Sequence, residues 1–341
     1  MTPPERPVGE SVSFSRPQRN AHAFRDGRHL PLVATGLISV VLFAAASFSY
    51  EGFFSARVVV NLLADNAFLG IAAVGMTLVI FSGGIDLSVG AVIGFTSIFT
   101  ATLVAGRGFH PLVAWSIALV IGGALGAGMG TLIHLFRLPA FLITLAGMFL
   151  ARGAGFWINT ESVGITHPWY EKLANFDFAI GESVHVPAGA SLLLAAVIVG
   201  TIIGHFTRFG RTLLALGGSE QSALLMGLPV GGAKIAVYTL NGFCAAAAGI
   251  VATLYTGSGN PSMGIGLELD AIAVVVVGGT LLAGGRGHMA GTLLGLLIVG
   301  TIQSAILFDG RLSSWWMRIV VGALLLVFIL LQRFLVRGSR R

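Results

Sequence analysis

One carboxylate stands nearly alone among apolar residues. Asp86 follows Gly83 and Gly84 and precedes Ser88 in the stretch AVGMTLVIFSGGIDLSVGAVIG, residues 73–94. A charge at membrane depth costs about 2.5–3.5 kcal/mol on insertion scales, so it is kept where it serves an ion, a proton, a solute or the backbone itself. Paired glycines let one helix end and Asp is a favoured N-cap for the next, so a membrane-type segment reads as helix, break, helix, interrupted near its middle. Two roles stay open. Asp86 caps its helix and does nothing more, or Gly83, Gly84, Asp86 and Ser88 line a translocation pathway or gate, because broken helices at membrane depth occur where freed backbone is buried in protein or faces a cavity.

Other chemistry lacks a carrier. No HExxH, GxSxG or GxxxxGK[ST] occurs, the eight histidines are scattered, and the one cysteine, Cys244, lies in an apolar run, so no catalytic residue, metal site or cofactor is expected. An aspartyl dyad needs two carboxylates in one site, whereas Asp270 opens a different apolar run. Ion-coupled transporters place several ionisable groups inside their spans. Here Asp86 has for company only Arg152 and Arg318, near span ends from which they can snorkel. The energy source is therefore expected on another chain, with an ion-coupled secondary sugar transporter as the alternative.

The elements that must position these residues are membrane helices. Of 341 residues 55% are hydrophobic and 10% charged, far below the usual quarter charged of a soluble domain. The net charge of +6 sits at the ends of apolar runs rather than in a stripe, which reports membrane orientation and excludes nucleic acid as a partner. Residues 1–29, rich in arginine and proline, read as a flexible cytoplasmic tail, and 334–341 as a second, basic one. Between them, 30–333 forms an all-α polytopic permease-like domain of about ten transmembrane helices, some short or Gly-broken. They fall near 30–49, 67–83, 87–105, 111–133, 138–158, 188–204, 235–254, 271–284, 290–307 and 315–332. The first is too long for a signal peptide's apolar core. The eighth is short enough either to span or to re-enter. Residues 50–66 mix apolar and charged side chains as an interfacial helix does, in contact with membrane lipid. With both termini inside, 14 of the 20 Lys and Arg fall on inner segments. Trp157, Trp169, Trp315 and Trp316 then mark the outer interface, and the outer loop 160–187 makes a lid or docking surface.

The long inner loop, about 205–234, holds an elbow. A helix from Arg211 to Leu216 is expected to stop at Gly217 and Gly218, after which Ser219 caps a second helix, Glu220 suits its positive end, and Gly227 with Pro229 stops it. Ala223, Leu224, Leu225 and Met226 give that helix an apolar face outside any span, to be covered by a partner protein or by the bilayer surface. A second break, GGRGHMAG at 284–291, echoes the first and carries Arg286 where the first carries Asp86, which suggests an ion pair between them.

Three separated stretches, GMTLVIFSGGIDLSVG, the elbow GRTLLALGG with MGL behind it, and DAIAVVVVGGTLLAGGRGHMAGTLLG, resemble the permeases of ribose-type sugar ABC importers. LADNAFLGIAAVGMT, PAFLITLAGMFLARG, FDGRLSSWW and LQR narrow the likeness to the permeases of bacterial galactofuranose importers. The likeness runs roughly from Phe53 to Arg333. It implies a multi-pass bacterial inner-membrane subunit that pairs with a second copy or a paralogue, two ATP-binding subunits at the inner face, and a periplasmic sugar-binding protein. It also implies that Arg211, Gly217, Gly218, Ser219, Glu220, Leu224, Leu225 and Gly227 couple to the ATPase. The family pattern usually has Asn where Ser219 stands, and Ser still caps a helix.

Overall fold

The computed structural model describes residues 30–180, 184–311 and 315–338, so the expected N-terminal tail lies outside the described residues. The first helix, α1, runs Leu30–Ser49 as expected. Ser55 then caps a short amphipathic helix, α2 (Ala56–Asp65), accepting from Val58 N at 3.3 Å. α2 meets α3 (Ala67–Phe81) at 62°. Every residue of α3 except Phe68 is buried, because a helix apolar on all sides has no face to give to solvent and packs inside the bundle.

After α3 come α4 (Val89–Ala101), extended by a π-helical turn at Thr102–Gly106, α5 (Pro111–Leu135) and α6 (Ala140–Ile158). The 159–187 segment folds as β1 (Val163–Gly164), α7 (Pro168–Ala174) and the hairpin β2 (Asp177–Ile180) with β3 (Val184–Pro187). Beyond it lie α8 (Ala188–Thr201), α9 (Arg208–Gly218), α10 (Glu220–Leu225), α11 (Val230–Thr256), β4 (Ser258–Gly259), α12 (Leu267–Val277), α13 (Met289–Asp309) and α14 (Trp315–Gly338). Residues 334–338, expected in a tail, therefore continue the last helix.

α11 is the axis of this arrangement. Gly122, Gly126 and Gly130, four residues apart on α5, bring the two backbones together. A Cβ on Gly126 would collide with Tyr238 O, and one on Gly130 would lie 2.9 Å from Ile235 Cα. Small residues at this spacing are how membrane helices approach closely where no hydrophobic force acts between them. α3 and α4 pack on α11 in opposite directions. Along α3 the neighbours descend from the level of Val251, beside Ala67 at Gly189, to Asn241 and Cys244 at Gly75 and Tyr238 at Gly84. α4 climbs back, from Asn241 at Asp86 to Gly249, which packs on Ile93 and Thr96. So 73–94 is not one segment interrupted near its middle: the chain reverses over residues 82–88, helped by Gly83 at φ +79°.

At the opposite end of α11, β1 pairs antiparallel with β4, and buried Tyr170 of α7 shares a hydrogen bond with Thr253. The 159–187 segment is thus strapped to the bundle. Among the described residues seven helices are long and apolar enough to cross a membrane, or eight if the bent pair α2–α3 is one crossing. α12 has only 11 residues, about 16 Å at 1.5 Å per residue, too short to cross alone.

Candidate functional site

Asp86 is fully buried, and three hydrogen bonds hold its carboxylate. Oδ1 accepts from Ser88 N at 2.8 Å and Ser88 Oγ at 2.6 Å, and Oδ2 accepts from Asn241 Nδ2 at 2.8 Å. The N-cap position of α4 is Ser88 itself, with no side-chain capping bond. Asp86 therefore does not cap the helix. It closes the turn ahead of it, because a short carboxylate reaches the N–H two residues on as readily as a cap does.

Tyr238 sits one turn before Asn241 on α11, its hydroxyl pressed against Gly84, where a Cβ would overlap it. Neither the Tyr238 hydroxyl nor Asn241 Oδ1 has a hydrogen-bond partner among the described residues. An unmet buried polar group costs about 1–3 kcal/mol, which makes this corner a place of stored cost next to a charge. Asn241 and Tyr238 escaped the sequence reading, although an amide midway along a 27-residue apolar helix was the available signal. Among the described residues no ion pair joins Asp86 to Arg286. The Arg286 carbonyl accepts from Leu281 N inside its own loop.

The elbow follows its local signals closely. Thr207 caps α9, accepting from Gly210 N at 3.1 Å, and the helix carries through Gly217 and Gly218 instead of stopping before them. Ser219 is extended and caps α10, accepting from Ser222 N at 3.2 Å, while Gly227 ends the elbow at φ +73°. Glu220 pairs with Lys234 at the start of α11, 2.6 Å apart. Arg211 lies exposed on α9. Of the expected apolar face, Ala223 turns inward onto Leu216 and Val230. Leu224, Leu225 and Met226 stay outside, 57%, 85% and 65% exposed.

Residues 58–329 match the family described as branched-chain amino acid transport system / permease component. The chain belongs to that family.

The permease is 49% identical to the inner membrane ABC transporter permease protein YjfF of Escherichia coli, over 90% of this chain and 92% of that protein. It is 38% identical to the ribose import permease protein RbsC of E. coli, over 86% and 91%. Against the fructose import permease protein FruG of Bifidobacterium longum the figures are 37%, 90% and 92%. No solved structure matches. The resemblance to ribose-type ABC permeases holds, and the permease is a multi-pass protein of the inner membrane.

In this permease the two breaks and the elbow, far apart in sequence, come together. Gly285 N donates to Phe81 O at 3.1 Å. A Cβ on Gly284 would lie 2.6 Å from Gly83 N, and one on Gly285 2.7 Å from Gly218 N. Of the predicted site residues, then, Gly83 meets Gly217. Asp86 and Ser88 form their own cluster on α11, and Leu224 and Leu225 stand apart on the surface.

Proposed function

We propose that this permease carries a monosaccharide across the inner membrane as the translocating subunit of an ATP-driven importer. The names of its relatives, sugar import permeases matched over most of the chain, support the solute class. The observation that carries the ATP-driven part is the apolar patch of Leu224, Leu225 and Met226 on a short capped helix outside the spans, a face that calls for a protein partner. The partners are ATP-binding subunits at the inner face, a periplasmic sugar-binding protein, and a second permease copy or paralogue. Both termini and the elbow lie in the cytoplasm and 160–187 in the periplasm, a reading that the arginine bias supports.

In this reading closure of the ATP-binding subunits pushes α10 through Leu224 and Leu225, with Ser219, Glu220 and Gly227 keeping its shape and Arg211 at its approach. Gly217, at the end of α9, passes the movement inward. Gly83, Gly84, Asp86 and Ser88 form a turn whose rearrangement gates the path. The sugar is galactofuranose or a close relative of it, selected chiefly by the binding protein. Calorimetric titration of that binding protein with galactose, ribose and fructose tests the choice. Binding of the furanose form of galactose is expected, and tight binding of ribose alone would overturn it.

A further inference from the structure

Leu213 anchors the first elbow helix in the core, and at its end the same helix meets the rest of the permease backbone to backbone. Gly217 sits where a Cβ would collide with Phe81 O and would lie 2.5 Å from Gly285 N. Phe81 ends α3, at the first reversal, and Gly285 belongs to the loop that follows α12, the second break. These two are themselves joined by the Gly285 N–H to Phe81 O hydrogen bond. Gly83, Gly217, Gly218, Gly284 and Gly285, drawn from three glycine pairs, thus meet backbone to backbone. Gly217 faces both breaks, while Gly218, its neighbour in the same helix, has no atom within 4 Å of its Cβ position.

We infer that Gly217 is a positioning residue for transport: it seats the end of α9 in a joint with both breaks, so that one displacement of the elbow moves the ends of α3 and α12 together. Packed backbones have no side-chain rotamers to absorb a shift. A push of an ångström or so on α9 is therefore handed on to residues 81–84 and 284–285 rather than dissipated. The first of these segments leads directly into the Asp86 turn. The second leads into α13 through Gly287, where a Cβ would lie 2.6 Å from the ring of Phe81. The joint couples the two breaks as a two-state element rather than as a chain of side-chain contacts.

The inference rests on the ATP-driven reading, and the adjacent glycines supply a matched test. Gly217→Ala and Gly218→Ala make the same chemical change in the same helix and differ in what the new methyl meets. Both go into the complete complex with its ATP-binding subunits and binding protein, reconstituted in liposomes and assayed for uptake and ATP hydrolysis. Gly218→Ala should behave as the parent. Gly217→Ala should assemble and hydrolyse ATP while uptake falls about tenfold or more. Equal uptake by both variants overturns the joint, as does a Gly217→Ala complex that assembles but loses hydrolysis and uptake in proportion. If Gly217→Ala does not assemble, hydrogen exchange on the parent complex decides. Addition of a non-hydrolysable ATP analogue should change exchange in peptides covering 208–219, 81–87 and 281–288 together, and a response confined to 208–219 overturns the inference. A parent complex without ATP-dependent uptake would instead refute the reading of the function.

Discussion

Asn241 Nδ2 donates to Asp86 Oδ2 at 2.8 Å, across 155 residues of sequence, and ties the reversal between α3 and α4 to the middle of α11. The bond depends on the glycines of α5, which hold α11 at backbone distance, and on Gly75, beside which the other amide atom of Asn241 packs. Position, burial and charge of Asp86 are thus products of helix packing as much as of the local turn.

Asp86→Asn keeps an acceptor for Ser88 and presents an amide to Asn241, whose unpaired Oδ1 can turn to receive it. Asp86→Ala removes all three bonds and leaves Ser88 and Asn241 unmet, a loss of about 2–4 kcal/mol. Thermal unfolding of the purified permease in detergent should therefore be near the parent for Asn and clearly lower for Ala. Uptake assays then separate the roles: a stable but inactive Asn variant shows that the charge matters, and a fully active one reduces Asp86 to a turn residue.

Gly126→Ala drives a methyl into Tyr238 O, whereas Gly128→Ala adds one where nothing lies within 4 Å. Overpacking of this kind costs about 1–3 kcal/mol, so Gly126→Ala should unfold at lower temperature and Gly128→Ala should not. Equal melting temperatures would mean that α5 and α11 are not held by this contact.

How far the residues announced this structure depends on the range of the interaction. The Ser219 cap and the Gly227 stop were legible because both are settled within four residues. The extent of α9 was misjudged, since paired glycines weaken a helix without obliging it to stop, and here packing against two backbones holds it through Gly218. Ala223 was grouped with the three apolar residues that follow it, yet as the smallest of the set it fits against Leu216 and Val230. The pairing of Asp86 with Arg286 failed because opposite charge in two similar stretches carries no distance. The meeting of the glycine pairs was beyond reading: with 48 glycines in the chain, no single pair stands out until the fold brings it to another.

Leu225 is 85% exposed, so Leu225→Glu should leave the fold of the permease intact. In a docked complex it would bury an unpaired charge, costing about 3 kcal/mol and weakening the hold on the ATP-binding subunits about a hundredfold. Co-purification is the readout. A variant that retains the subunits and transports as the parent would place this face on lipid.

Topology is open to labelling in a Cys244→Ser background. A membrane-impermeant thiol reagent applied to intact cells should modify Glu171→Cys and leave Ser339→Cys untouched until the membrane is opened. The reverse pattern would invert the arrangement of both termini.

The most direct measurement is sugar uptake by the complete complex in proteoliposomes, with and without ATP, and with ion gradients collapsed by ionophores. Uptake that requires ATP and the ATP-binding subunits, and that survives loss of every gradient, is the predicted result. Uptake driven by an ion gradient in liposomes holding this permease without any ATPase would contradict the account.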